Sequence, residues 1–346
     1  MVDTLSRPIR EEMPLFADTR YSTGSAMMMT KRVLLLVLVL VGRATTKRLR
    51  ARLRYDGSRF HGVQKNVRTQ DGTELRTIIL TLEEQLWPAL DQQVKFIMAG
   101  RTDAGVSATG QVCIFNVQGD EVVVNGAPVG VSNLAECLNT VLPSDLQMTE
   151  VVEVASDFDV VRDSRYKRYR YRLPPPRPDD DDDMRVLKMV STHAARAARE
   201  RQNGDAIPVR RLSRRQRRAE PPLAISELLA MSEAAALLEG THDFGAFQAA
   251  GGDQKSTERT IFLCAIEPHA HGYDVVVEGD GFLRYMVRII AGTLLMVGMG
   301  LAPPETIMAA LSCDNRDNKS QLRRRGIVGP TLPPERLCLE HVEYDQ

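Results

Sequence analysis

The chain has 346 residues, which is long enough for two domains with a shared cleft, and its 45 basic residues balance 45 acidic ones. The net charge therefore argues neither for nor against nucleic-acid binding. The five cysteines have no CxxC spacing, which argues against a zinc site or a disulfide framework and fits a reducing compartment. The sequence has no Walker loop, GxGxxG or HExxH motif, so it indicates neither a nucleotide cofactor nor a metal.

Residues 1–46 are predicted to be an N-terminal extension outside the fold. Lys31-Arg32 precedes the apolar run Val33–Val41, which is too short to span a bilayer. The extension is interpreted as a removed leader or a disordered segment. A buried strand, an organelle-targeting signal and a membrane anchor stay open as alternatives. The compartment is therefore undecided between cytoplasm, nucleus and an organelle.

Residues 47–165 are predicted to form a first mixed α/β domain with an antiparallel component. Alternating apolar residues indicate strands, and apolar residues at helical spacing indicate helices. The strands are predicted at Leu49–Tyr55, Val94–Ala99, Gln111–Val117 and Glu150–Val154. The helices are predicted at Leu75–Leu90 and Leu134–Leu142.

Residues 166–346 are predicted to form a second domain, which the basic, aromatic strand Arg165–Leu173 introduces. We expect Tyr169 and Tyr171 to lie on opposite faces of this strand, so that at most one faces a shared site. Further strands are predicted at Ile261–Glu267, Tyr273–Glu278 and Cys338–Tyr344. Helices are predicted at Ile225–Leu238, Gly281–Val297 and Pro303–Leu311.

A charged insertion is predicted within the second domain, at residues 174–220. It begins with the proline-rich Pro174–Pro178, continues with the acidic run Asp179–Asp183, and holds nine arginines between Arg196 and Arg218. Blocks of like charge repel and stay solvated, so we expect the insertion to be mostly disordered. The acidic and basic blocks could instead pair with each other, or the arginines could bind RNA phosphates.

The most informative feature is a tight loop between two apolar runs. Asp103 lies between Gly100 and Gly105, two residues after Arg101. Glycines at both ends allow a sharp turn and the close approach of a large ligand. A carboxylate held beside a cation stays ionised at neutral pH, as a nucleophile must. The plainer alternative is a turn aspartate that bonds its own backbone.

The loop GRTDAGV, Gly100–Val106, resembles the signature loop of the tRNA pseudouridine synthase A family, whose catalytic aspartate falls on Asp103. Other segments resemble family blocks in the same order, over roughly residues 47–173 and 221–346. These segments are Tyr55–Gln64, Lys167–Tyr171, Gly240–Phe244, Phe282–Arg288 and Gly329–Pro334.

The resemblance implies a pseudouridine synthase fold, in which two mixed α/β domains with antiparallel sheets flank a basic active-site cleft. It implies an isomerase that converts uridine to pseudouridine in the anticodon arm of tRNA, at positions 38–40, without a cofactor or metal. The expected partner is tRNA, with a possible homodimer and no stable membrane partner.

The resemblance also implies roles for individual residues. Asp103 is the expected nucleophile, and Tyr169 is expected to stack on the flipped base and transfer a proton. Arg288 is expected to pair with Asp103 from a helix whose small residues let it pack closely. Arg284 is expected one turn earlier on the same helix face. The predicted RNA-binding residues are Arg101, Thr102, Tyr55, Arg168 and Arg284.

The chain departs from the family pattern at three positions. Ser107 stands where a histidine is usual, Val63 where a tryptophan is common, and Val161 where an arginine is typical. The Ser107 and Val161 departures leave the aspartate, the tyrosine and the helix arginine in place, so activity is expected, with altered RNA contacts. Three alternatives are kept: a catalytically silent RNA-binding relative, a membrane-attached interaction protein anchored through Val33–Val41, and an aspartate-dependent N-glycosidase that releases uracil.

Overall fold

The computed structural model describes residues 45–65, 68–174, 181–200, 225–251, 256–269, 272–312 and 327–345. Val33–Val41 and the arginines of residues 201–218 lie outside this range, so the predictions made for them stay untested. Among the described residues, no helix combines the length and apolar character needed to cross a membrane.

A nine-stranded sheet organises the described chain, with the order β6-β1-β3-β11-β7-β10-β9-β8 and β2 paired to β3. A separate hairpin consists of β4 and β5. The strands of the first half are β1 Thr46–Tyr55, β2 Ile97–Met98, β3 Ser107–Gln118, β4 Val122–Val124, β5 Ala127–Val129 and β6 Leu146–Val154. Those of the second half are β7 Ser164–Arg172, β8 Gly240–Asp243, β9 Glu258–His269, β10 Gly272–Gly279 and β11 Leu337–Tyr344.

Six α-helices are present in the described range. They are α1 Ile78–Leu90, α2 Val131–Asn139, α3 Asp181–Glu200, α4 Ile225–Ala236, α5 Met286–Gly298 and α6 Thr306–Leu311. The core lies against one sheet face, where β1 buries Leu49, Ala51 and Leu53 while its arginines alternate on the other face. Helix α5 is buried along its whole length. This pattern confirms the predicted mixed α/β fold with mainly antiparallel strands.

The two predicted halves share one sheet, where two sheets were expected. Strands β3 and β11 pair in parallel at the centre, and the residues from Thr46 onward form one compact unit. A Cβ atom added at Gly110 would lie 2.1 Å from the carbonyl oxygen of Glu340, so the two backbones approach too closely for any side chain. This contact joins the halves between which the cleft was predicted.

The expected opposite orientation of Tyr169 and Tyr171 is wrong. Residues two apart in a strand share a face, and β7 buries Lys167, Tyr169 and Tyr171 together. The hydroxyl of Tyr171 donates to the carbonyl oxygen of Pro333 at 3.0 Å, so this tyrosine holds the C-terminal segment.

The expectation that residues 174–220 are mostly disordered fails at Asp181–Glu200, which forms the amphipathic helix α3. Val186, Val190 and Ala194 are buried at helical spacing, which outweighs the local charge. Three aspartates occupy the first turn, where the helix dipole favours negative charge. One of them, Asp183, is buried and pairs with Arg336.

The helix predicted over Gly281–Val297 begins later, at Met286. Tyr285 caps it with φ 61° and ψ 10°, a left-handed conformation that few residues other than glycine adopt. Arg284 therefore precedes the helix, and the expected helix face shared by Arg284 and Arg288 is absent.

Candidate active site

The Asp103 loop is held in place by the segment that follows β1. Gly105 has φ +83°, and the amide of Val106 donates to the Asp103 carbonyl at 3.1 Å, which closes the turn. The amide of Gly105 donates to Phe60 at 3.2 Å, and the amide of Val63 donates to the Thr102 carbonyl at 3.2 Å. Backbone bonds on both sides of Asp103 therefore fix its position.

Gly57 makes the closest approach to this loop. A Cβ atom there would lie 2.1 Å from the backbone carbon and oxygen of Val106. The Gly57 amide donates to Ser107 Oγ at 3.0 Å. Ser107 is one of the departures from the family pattern. Its hydroxyl thus links the Asp103 loop to the segment after β1 that contains Gly57.

Arg288 supplies the charge partner of Asp103. Its Nη1 lies 3.5 Å from Asp103 Oδ2, and its Nε donates to the Leu332 carbonyl at 2.7 Å. Arg288 is only 9 % exposed. The expected pair of Arg288 with Asp103 is therefore present.

Small residues make the close packing of α5 possible, as the sequence suggested. A Cβ atom at Gly292 would lie 2.1 Å from the Pro330 carbonyl oxygen. The helix thus sits directly against the segment 328–332, and the Leu332 carbonyl that accepts from Arg288 belongs to it.

Burial raises the pKa of Asp103, and the positive charges of Arg288 and Arg284 oppose this effect without cancelling it. Two cations were expected beside Asp103, Arg101 within the loop and Arg288 from the helix, and Arg288 forms an ion pair with its carboxylate. The arginines therefore limit the rise of the pKa, and Asp103 is more basic than an exposed aspartate.

Asp103 and Tyr169 line one cleft of about 640 Å³. Tyr169 is 6 % exposed, and its ring meets Phe282 edge to face with centroids 5.1 Å apart. Burial raises the pKa of Tyr169, so its hydroxyl stays neutral at physiological pH. The cleft therefore combines a carboxylate, a neutral phenol and an aromatic wall.

Two of the predicted RNA-binding residues bond to each other instead of presenting their hydroxyls to the cleft. Tyr55 Oη lies 2.8 Å from Thr102 Oγ1, and Gln111 Nε2 donates to Tyr55 Oη at 3.4 Å. Burial raises the pKa of Tyr55 to about 12. Thr102 lines the cleft, while Tyr55 lies behind it and supports the loop.

Cationic side chains line the cleft around Asp103. Arg101 is exposed, and its guanidinium is within hydrogen-bonding distance of the Gln64 side-chain amide, at 3.0 and 3.2 Å. Arg284 donates to the Ala250 carbonyl at 2.7 Å and stacks 4.9 Å from the Tyr285 ring centroid. Arg259 also lines the cleft and is partly exposed, and its guanidinium donates to the Ser256 carbonyl at 3.1 Å.

Arg168 lies outside this cleft. It is on the opposite face of β7 from Tyr169, with ion pairs of 3.1 Å to Glu267, 2.7 Å to Glu278 and 3.3 Å to Glu340. The structure therefore does not bring Arg168 to the other predicted site residues.

Besides Arg259, sequence reasoning missed Tyr285 and Lys167. Tyr285 stacks on both Arg284 and Arg288, whose guanidinium carbon lies 4.5 Å from its ring centroid. Lys167 lines the cleft beside Tyr169. Both lie within segments that carry the family resemblance, and the two-residue spacing from Tyr169 is the signal that could have identified Lys167.

No group of three or more histidine, cysteine, aspartate or glutamate side chains within the described ranges is arranged to hold a metal ion.

Comparison with known proteins identifies the family. Residues 234–345 match a family model described as tRNA pseudouridine synthase. The tRNA pseudouridine synthase A of Myxococcus xanthus is 37% identical over 301 residues, covering 86% of this chain and 92% of that protein. Its namesake in Moorella thermoacetica is 32% identical over 296 residues, covering 86% of this chain and 99% of that protein. The chain therefore belongs to the tRNA pseudouridine synthase A family.

Proposed function

We propose that the protein is a tRNA pseudouridine synthase that isomerises uridine in the anticodon arm, at positions 38–40, with Asp103 as the nucleophile. The observation that carries this proposal is the ion pair of Arg288 with Asp103, whose carboxylate shares one cleft with Tyr169. Family membership supports the reaction class, and the resemblance of the loop supports the choice of Asp103.

The reaction needs no external reactant. The Asp103 carboxylate attacks C1′ of the ribose, and the C1′–N1 bond breaks with its electron pair staying on the uracil. The base then turns, C5 attacks C1′ and displaces the carboxylate. C5 loses its proton and N1 gains one, so that atoms and electrons balance.

The geometry suits these steps. Arg288 orients the Asp103 carboxylate and favours its ionised form. Tyr169 offers a stacking surface for the extruded base, and its neutral hydroxyl can exchange a proton with the base. The walls of the cleft keep the detached uracil close to C1′ until the new bond forms.

Phosphate contacts would position the RNA. Arg101, Arg259 and Arg284 line the cleft with guanidinium groups that can bind phosphate oxygens. A base in the anticodon arm is easier to extrude where it is unpaired or at the end of a stem, since less pairing energy is lost. The choice of positions 38–40 follows the family resemblance.

The test uses the full chain with an unmodified tRNA transcript, without added metal or nucleotide. Carbodiimide treatment followed by primer extension reads out pseudouridine at each position. We compare the wild type with Asp103→Asn and with a matched control, Asp91→Asn. Asp91 is exposed and has φ 50°, a conformation that asparagine also tolerates.

Primer-extension stops that report pseudouridine at positions 38–40 with the wild type and Asp91→Asn, but not with Asp103→Asn, would support the whole proposal. Stops only at other positions would overturn the site preference and keep the reaction. Release of free uracil would identify an N-glycosidase. Tight tRNA binding without stops or uracil release would identify a silent RNA-binding protein.

A further inference from the structure

Lys167 is a buried cation in the cleft to which the proposed reaction assigns no role. It lies on β7 two residues before Tyr169, on the same face, and is only 7 % exposed. Its Cδ and Cε pass 3.6 and 3.5 Å from where a Cβ atom of Gly100 would be, directly beside the Asp103 loop. The side chain therefore runs along the wall that the flipped base would meet.

The Lys167 ammonium is incompletely partnered. Nζ donates to Ser164 Oγ at 2.9 Å and reaches the Asp280 carbonyl oxygen only at 3.5 Å. An ammonium has three donors, and within the described ranges no carboxylate oxygen lies within 4.0 Å of Nζ. The Lys167 ammonium can therefore donate a hydrogen bond to a further acceptor in the cleft.

A buried ammonium without a counter-ion is costly, because burial removes its hydration. Burial accordingly lowers the pKa of Lys167, and the negative charge of Asp280, which lines the same cleft without contacting Nζ through its carboxylate, opposes this effect without cancelling it. The Asp103 carboxylate has its charge partner in Arg288, and the charges that act on its pKa are those of Arg288 and Arg284. An acceptor that arrives with the substrate would offset the cost.

We propose that the Lys167 ammonium donates a hydrogen bond to a carbonyl oxygen of the flipped uracil and stabilises the negative charge of the detached base. The proposal rests on the proposed function. A base stacked on Tyr169 would direct one edge toward Lys167, which lies about 6.7 Å away along the strand. Once the C1′–N1 bond breaks, the electron pair on N1 is delocalised onto O2 and O4. Lys167 keeps its proton throughout.

The test asks whether the effect of replacing Lys167 on the reaction rate depends on O2 or on O4 of the uracil. Transcripts carry uridine, 2-thiouridine or 4-thiouridine at the modified position, because sulfur is a poorer hydrogen-bond acceptor than oxygen. Single-turnover rates are followed by nucleoside chromatography for the wild type, Lys167→Met and Lys167→Arg. Lys47→Met is the matched control, since Lys47 makes a surface pair with Glu153 on β1.

We expect Lys167→Met to lower the rate on uridine by roughly 10- to 100-fold, which corresponds to one hydrogen bond to a charged group. Its affinity for tRNA should stay within twofold of the wild type. Either 2-thiouridine or 4-thiouridine should slow the wild type relative to uridine. The same substitution should leave the rate of Lys167→Met unchanged. Lys167→Arg, which keeps a cation, should recover part of the rate.

Equal thio effects in the wild type and in Lys167→Met, at both O2 and O4, would overturn the proposal and leave Lys167 a structural residue. If Lys167→Met does not fold, Lys167→Gln replaces it, because its amide can still bond Ser164 without carrying a charge. A wild type that forms no pseudouridine would overturn the proposed function first, and this assignment with it.

Discussion

Replacing Arg288 with methionine tests whether the ion pair with Asp103 sets the pH dependence of the reaction. Methionine keeps an unbranched side chain of similar length and removes the charge. The variant loses the 3.5 Å contact to Asp103 and the 2.7 Å hydrogen bond to Leu332. It also loses the stacking on Tyr285.

The magnitude follows from the geometry. Two unit charges 3.5 Å apart attract by about 5 kcal/mol at an effective dielectric constant of about 20. The Asp103 side chain is 31% exposed, so water screens part of this attraction, and we take about 2–3 kcal/mol as the loss. If the loss falls on the rate, it corresponds to a decrease of about 30- to 150-fold at neutral pH.

The direction of the pH effect follows from the causes of the Asp103 pKa. Burial raises this pKa and Arg288 lowers it, so removing Arg288 raises it further. Asp103 must be ionised to attack, so the acidic limb of the rate profile should move to higher pH. The ratio of wild-type to variant rates should therefore shrink as the pH rises.

The assay is the single-turnover rate between pH 5 and 9, together with thermal unfolding to confirm folding. Arg284→Met is the control, because its guanidinium bonds Ala250 and stacks on Tyr285 without pairing with Asp103. It should weaken tRNA binding and move the acidic limb to higher pH by less than Arg288→Met does, because Arg284 lowers the Asp103 pKa through its charge alone, which is the smallest of the contributing effects. A folded Arg288→Met enzyme with an unshifted acidic limb would refute the electrostatic reasoning.

Three further predictions concern the supports of the site. Gly57→Ala should abolish soluble folded protein or lower the free energy of unfolding in urea by more than about 2 kcal/mol, since its Cβ would overlap the Val106 backbone. Arg168→Met should leave the tRNA dissociation constant within about twofold, as its ion pairs lie outside the cleft, and a larger change in a filter-binding assay would count against this placement. Tyr55→Phe should cost about 1–2 kcal/mol in urea unfolding because Thr102 loses its buried partner, and an unchanged midpoint would contradict this.

Local patterns located most strands and helices to within a few residues. The β4–β5 hairpin was missed although its signal was present. Asn125-Gly126 has φ values of 51° and 80°, as expected for an Asn-Gly turn between short strands. The prediction missed helix α3 because it relied on the runs of like charge on either side of this segment. The helical spacing of Val186 and Val190 was the signal for the helix.

The site was predictable where a single segment carries it. The glycine-flanked loop and its resemblance to a known family located Asp103, and the same resemblance pointed to Tyr169 and Arg288. The catalytic roles of these residues stay predictions. Arg168 shows the limit of such reasoning, because alternation along β7 separates it from Tyr169 and the acidic residues that pair with it come from three other strands.

The sequence by itself determined the turn that carries Asp103, because glycine conformation and local hydrogen bonds depend on adjacent residues. Only the tertiary structure decided what surrounds that carboxylate. Arg288 reaches Asp103 because α5 packs against the segment after Gly329, and Lys167 reaches the cleft because β7 pairs with β11 at the sheet centre. These contacts join segments far apart in the chain, and their balance of burial and charge sets the chemistry of the site.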